Sequence, residues 1–373
     1  MKASLFLPFF LLPLLLFPTH ASAINDPAPE PTQKEKPQDL KDLKEPKEDI
    51  QETFRVIQEK LDQKNYKEAV ALLKPLADRD SPEAMYVLGY LTLQGKGTRA
   101  NATAAAQLFR KAAKKGDVRA QTAWGKALAQ GEGVRRDYRE AVTWFRKAAE
   151  EGIAIAQYNL GYMYAHGRGV QKNEASAIEW FTKAAQQGLA DAQYSLGWMY
   201  ANCKGELQSD TQAVHWLEKA AEQEHVKAQN NLAYMYAEGK GVAQSPDKAL
   251  AWYKRAADQS YPVAQYNLGV MYEQGRGIAQ DYEQAVKWYR MAAEQNEPSA
   301  QYSLGVLYDQ GTGVPANHQE AVQWYRLAAK NGDPDAKKEL RAIERSRPRP
   351  APVKQNLKKS DKKKGEKQKK GKE

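Results

Sequence analysis

The sequence predicts an all-α protein, a right-handed α-solenoid of stacked antiparallel helical hairpins, and three observations predict it. A self-similarity of 36 residues recurs without insertion in seven blocks starting at 81, 117, 153, 189, 225, 261 and 297, the kind of period that marks a repeat array. Within a block the apolar residues take helical spacing twice. Ala156, Leu160, Met163 and Tyr164 share one face, and Ala177, Trp180, Phe181 and Ala184 share another. Glycines and capping residues then recur at matching slots between the two helices.

Taken in chain order, residues 1–23 have the anatomy of a secretory leader. Lys2 gives a positive start, Leu5 to Pro18 an apolar stretch, and Ala21-Ser22-Ala23 a cleavage site, so the mature chain is expected to begin at Ile24 in the periplasm or outside the cell. Pro8, Pro13 and Pro18 break the apolar stretch, and no later run approaches the roughly 20 apolar residues of a spanning helix. No transmembrane segment is therefore expected in a soluble mature chain. The residue directly after the cleavage site is Ile24 and not a cysteine, which argues against a lipoprotein. Residues 24–48 are rich in Pro, Lys, Asp and Glu and read as a disordered linker. Residues 49–80 form one further hairpin, expected to cap the apolar end of the stack.

Seven repeats follow over residues 81–332, each headed by an alanine (Ala84, Ala120, Ala156, Ala192, Ala228, Ala264, Ala300), and 333–345 is expected to be a capping helix. Asn101, Asp137, Asn173, Ser209, Ser245, Asp281 and Asn317 precede the second helix and can accept from its first N–H groups. Glu140, Gln212, Gln284 and Glu320 stand three residues on, which predicts capping boxes. Gly95, Gly131, Gly167, Gly239, Gly275 and Gly311 supply left-handed caps to the first helix, and Cys203 is the one departure. A glycine inside the first helix, such as Gly161, costs up to about 1 kcal/mol of propensity. Its recurrence predicts a close approach of the partner helix, with the Trp column (Trp144, Trp180, Trp216, Trp252, Trp288, Trp324) and the alanine pairs after it as packing partners.

Charge and cysteine usage narrow the function classes. Arg341–Glu373 carries 14 Lys plus Arg against 4 Asp plus Glu, which is the whole formal charge of +10, so the 340 residues before it are balanced. This tail, disordered over 346–373, is read as a solvated end, as a polyanion contact or as a segment that folds on a partner. It has no aromatic residue to stack on bases, so specific nucleic-acid recognition is not expected. Cys203 stands alone, so no internal disulfide forms, and it reads as an inert small residue.

The string AQYNLGYMYAHGRGVQKNEASAIEWFTKAAQQG, from Ala156 to Gly188, resembles the Sel1-like repeat, a relative of the tetratricopeptide repeat. Ala156-Gln157, Leu160-Gly161, Gly167 to Val170 and Trp180-Phe181 carry the resemblance, which spans residues 81–340; the hairpin at 49–80 looks closer to a tetratricopeptide unit. The family implies a TPR/Sel1-like superhelix that acts as an adaptor or scaffold for protein partners, often in signalling or at the bacterial envelope. It implies no reaction. A secreted branch with paired cysteines in each repeat is linked to β-lactam binding or hydrolysis; those pairs are missing here, and a cell-wall or β-lactam-active enzyme is the alternative.

Glycine-x-glycine sequences after helices read as caps and not as phosphate loops. His20, His166, His215, His225 and His318 have no metal-ligand spacing, and no catalytic constellation stands apart from the repeat. Neither metal nor cofactor is expected, and the protein reads as a non-enzymatic monomer. By analogy with tetratricopeptide solenoids the first helices line a concave groove that takes a protein or peptide. Its candidate contacts are Tyr158, Tyr162, Tyr194, Trp198, Tyr234, Lys126 and Asn230, with Ile155, Ala165, His166, Tyr86, Tyr90, Tyr266 and Tyr302 on the same columns. Large amphipathic rings of this kind are enriched at binding hot spots. Packing between hairpins explains the Tyr158 column as well, and solvated faces explain Lys126, Asn230, Lys227 and Arg119. The motif Asn101-Ala102-Thr103 is an acceptor for glycosylation in a eukaryotic lumen, but Asn101 is placed to serve as a helix cap.

Overall fold

The computed structural model describes residues 48–203 and 205–346; the leader, the linker before Glu48 and the tail after Ser346 lie outside them. Among the described residues there are 17 α-helices, a 3-10 turn at Gly205–Leu207 and no strand. α1 (Glu48–Asp62) and α2 (Tyr66–Asp78) make the first hairpin. Next come α3 (Pro82–Gln94) with α4 (Ala102–Lys114), α5 (Val118–Gln130) with α6 (Tyr138–Glu150), and α7 (Ala154–His166) with α8 (Glu174–Gln186). They are followed by α9 (Ala190–Asn202) with α10 (Asp210–Glu222), α11 (Val226–Glu238) with α12 (Pro246–Asp258), and α13 (Pro262–Gln274). The chain divides into two compact units after Asp281, and the second holds α14 (Tyr282–Glu294), α15 (Pro298–Gln310), α16 (His318–Lys330) and α17 (Pro334–Ser346).

In the first unit each helix packs on the next, both within a hairpin and across to the following one, the stacking that defines an α-solenoid. The heading alanines Ala84, Ala120, Ala156, Ala192, Ala228 and Ala264 are fully buried, as are Leu160, Leu196 and Leu232. The glycine inside the first helix is a notch. A Cβ on Gly125 or Gly161 would stand 2.8 Å from the ring of Phe145 or Phe181, and one on Gly197 would stand 2.8 Å from Leu217. The notch is thus filled by the residue after each tryptophan, which corrects the expectation that the Trp column fills it. Trp144 and Trp180 are only half-buried, and Lys147 and Lys183 lie over their rings at 4.6 and 4.0 Å from the ring centres. The second helix leaves these tryptophans partly exposed and drives the next side chain inward.

The glycine-x-glycine turns do two jobs. Gly95, Gly131, Gly167 and Gly239 are left-handed caps with φ between 64° and 77°. The second glycine sits against the preceding hairpin: a Cβ on Gly133 or Gly169 would lie 2.1 or 2.3 Å from the carbonyl oxygen of Ala102 or Tyr138. Cys203 departs from the caps as expected, with extended φ −63°, ψ 161° and its N–H donating to Met199 O.

The side chains of Asn101, Asp137, Asn173, Ser209 and Ser245 accept the expected N-cap bonds. At Asp137 and Ser209 the capping boxes do not form. The N–H that such a box needs is already spent on the end of the first helix, as in Asp137 N to Leu128 O at 2.9 Å and Ser209 N to Tyr200 O at 2.9 Å. Glu140 turns instead to accept from Trp144 Nε1 at 3.2 Å.

A buried glutamine ties each hairpin to the one before it. Nε2 of Gln157, Gln193, Gln229 and Gln265 donates 3.1–3.3 Å to the carbonyls of Ala149, Ala185, Ala221 and Ala257, eight residues back. Gln187, Gln223 and Gln259 donate to Oε1 of Gln157, Gln193 and Gln229 at 2.7–2.9 Å. Both ends of a buried amide are thereby satisfied, which burial demands. Gln121 is the exception: its Oε1 is buried and unpartnered, because the residue 30 places on is Glu151, which has no amide hydrogen to give.

The second unit repeats the scheme. α15 packs on α14 and α16, and α16 on α17. Gly305 faces the ring of Tyr325, a Cβ on Gly313 would meet Tyr282 O at 2.5 Å, and Gln301 links Ala293 O with Asn331 at 2.9 Å each. Ala300, Leu304, Ala321 and Ala336 are fully buried.

Candidate partner-binding surface

The first helix of a repeat buries its Ala-Gln and Leu-Gly positions, so residues offset from them by two and one face outward in two columns. The earlier column holds Tyr86, Tyr158, Tyr194 and Asn230, and mostly serves the hairpin itself. Tyr86 and Tyr158 tilt against Phe109 and Phe181 at ring distances of 6.2 and 5.6 Å. In the second unit Tyr302 does the same against Tyr325 at 5.7 Å. Tyr266 is buried at 4% exposure.

Tyr194 differs. Its ring stacks on His225, with centres 4.6 Å apart. His225 is the N-cap of α11, its Nδ1 accepting from Ala228 N at 3.2 Å while Nε2 stands 3.3 Å from Asp191 Oδ1. That pattern puts the hydrogen of the neutral ring on Nε2. Asn230 is 7% exposed and bonded at both ends of its amide, to Asn231 Oδ1 at 3.3 Å and from Asn267 Nδ2 at 3.0 Å. It supports the floor of this surface.

The later column, Lys126, Tyr162, Trp198 and Tyr234, is the more open one. Tyr162 is half-buried and stacks on His166 at 4.0 Å. Tyr234, also half-buried, lies under Lys240 and accepts from its Nζ at 3.0 Å. Trp198 is 41% exposed, although tryptophan is among the costliest side chains to leave in water. Lys126 shares a cleft with Tyr138, Asn159, Tyr162 and Arg168.

Arg168 escaped the sequence reading, which took the turn that carries it as a cap alone. The signal was present: the middle residue of that turn is Lys96, Arg168, Lys240 and Arg276 in four repeats. Lys96 lies over the ring of Tyr66, Arg168 over those of Tyr138 and Tyr162, and Lys240 over Tyr234, at 5.1–5.7 Å from the ring centres. Arg276 pairs with Glu238 instead.

Cys203 is buried, and burial, reinforced by the nearby Glu174, pushes its thiol up to about 11. Among the described residues no group of three or more His, Cys, Asp and Glu is placed to hold a metal ion. No helix there is long and apolar enough to cross a membrane.

A family model described as Sel1 repeat matches seven consecutive segments, residues 82–117, 118–153, 154–189, 190–225, 226–261, 262–297 and 298–333. Among solved structures the chain is similar to a protective antigen present in uropathogenic Escherichia coli strains that displays an SLR fold, with 36% identity and a TM-score of 0.67. That likeness covers 74% of this chain, which spans 59% of the antigen's length. It is also similar to a Sel1 repeat protein from Oxalobacter formigenes, with 29% identity, a TM-score of 0.61, and coverage of 81% of this chain and 95% of that one. A search of the curated proteins finds no match.

Proposed function

The chain belongs to the Sel1 repeat family, and from that premise we propose that it is an exported, monomeric scaffold whose row of first-helix aromatics binds a protein or peptide partner. Sel1 repeats are helical scaffolds that commonly bind proteins. The observation that carries the rest of the reading is Trp198, a 41% exposed indole between Tyr162 and Tyr234 on the later column. A folded chain gains nothing internal from such a ring in water, and a partner that desolvates it gains much.

Export rests on the leader anatomy of residues 1–23, with cleavage after Ala23, no lipid anchor, and a periplasmic or secreted destination. There the scaffold acts in envelope signalling or in contact with a host, and carries out no reaction. The Lys-rich segment after Ser346 offers polyanions a salt-sensitive contact beside the main site.

The test is affinity capture of the parent chain and its Trp198→Ala variant from the exporting cell, with far-UV circular dichroism to confirm equal helix content. Loss of a partner in the variant supports the reading, with affinity lowered about thirtyfold or more, since a tryptophan hot spot is worth about 2 kcal/mol. An unchanged set of partners removes the aromatic row from it.

A further inference from the structure

Three cations of the first unit stand around Tyr138 and Tyr162 without an acidic partner. The Arg168 guanidinium lies 5.3 Å from the centre of the Tyr162 ring and 5.7 Å from that of Tyr138. Arg136 lies 5.4 Å from the same Tyr138 ring, and Lys126 lines the cleft shared by Arg168 and both tyrosines. Some other cations on or beside these helices are engaged elsewhere. Arg119 pairs with Asp117 at 2.9 Å, Arg276 with Glu238 at 3.9 Å, and Lys240 donates to Tyr234. Among the described residues no carboxylate stands within ion-pair distance of Lys126, Arg136 or Arg168.

We propose that this cleft receives a carboxylate from an acidic peptide segment of the partner, held between Arg168 and Lys126 beside the Tyr162 ring. The inference rests on the scaffold reading above and gives the partner its chemistry. Like charges brought together cost free energy, which the electron-rich faces of Tyr138 and Tyr162 offset in part. An incoming carboxylate offsets the remainder and can take a two-pronged bond from the planar guanidinium. The chain's own tail is a poor occupant, because Arg341–Glu373 carries the formal excess of +10 and is repelled by these cations.

Carbodiimide coupling with a biotinylated deca-glutamate probe tests this on the full chain, since the reagent adds no spacer and an amine held against the activated carboxylate forms the amide faster than one met by collision. Peptide mapping resolves the sites. The expected result is amide formation at Lys126 at least fivefold above that at exposed Lys111 of α4, lost in 0.5 M salt and reduced at least fivefold in Arg168→Glu and, to a lesser degree, Arg168→Gln. Coupling at Lys126 no greater than at Lys111, or confined to the tail lysines, or unaffected by both substitutions at equal helix content, overturns the proposal. Failure here with partner loss intact in Trp198→Ala sinks the carboxylate reading alone; retention of partners in Trp198→Ala sinks the scaffold surface itself.

Discussion

Replacing Gly169 by alanine separates two costs that a recurring glycine can conceal. Gly169 has φ +72°, and an added Cβ would stand 2.3 Å from the carbonyl oxygen of Tyr138, the first residue of α6 in the preceding hairpin. Gly152, at φ +89°, has nothing within 4 Å of the same added atom. Alanine in the left-handed region costs about 1–2 kcal/mol at either position. At Gly169 the clash is with backbone at a helix start, which cannot swing away as a side-chain end would, and forced overpacking adds about 1–3 kcal/mol. Gly169→Ala should therefore lose roughly 2–5 kcal/mol and Gly152→Ala no more than about 2.

Urea unfolding followed by circular dichroism gives the ranking. Hydrogen exchange on α6 and α7 locates the loss, which matters because a repeat array need not unfold in one step. Equal destabilisation by the two substitutions would refute the claim that the second glycine exists to let neighbouring hairpins touch.

Glu151→Gln restores the amide donor that Gln121 Oε1 lacks, and should stabilise the first unit by about 1 kcal/mol in the same urea assay; no gain, or a loss, counts against the glutamine tie. Cys203, its thiol pushed up to about 11, should react with a disulfide reagent at pH 8 roughly a hundredfold more slowly than an exposed thiol, whose pKa is about 8.5. A rate near that of free cysteine would show the site to be open. Burial, reinforced by Asp333, raises the Glu297 carboxyl above its ordinary value in the second unit. A raised carboxyl favours the fold while protonated and loses that contribution as pH climbs through its folded pKa. Glu297→Gln should accordingly be the more stable chain at pH 7, with the gain fading as pH falls through the raised value. A gain independent of pH would contradict this.

The helix pattern was readable because its causes are local. The 36-residue period, the 3.6-residue apolar spacing and the cap chemistry at Asn101 or Gly167 each act over a few residues. What was misread needed a neighbour's position. The capping box at Glu140 fails because Asp137 N is committed to Leu128 O, nine residues away, and the notch at Gly161 takes Phe181 and not Trp180 because both helix faces must meet. The candidate surface divides in the same way. Tyr162, Trp198 and Tyr234 could be placed on one column from spacing alone, whereas the burial of Asn230 depends on Asn267 of the next first helix. Arg168 was hidden in a turn whose glycines explained it too readily.

Site-specific photo-crosslinking bears most directly on the central claim that the first-helix aromatics are the face that meets other proteins. A benzophenone amino acid at position 198 should give a discrete protein adduct in the native cell, and one at exposed His215 on α10 should give none. Adducts from 215 and silence from 198 would place recognition on the second helices and contradict the account.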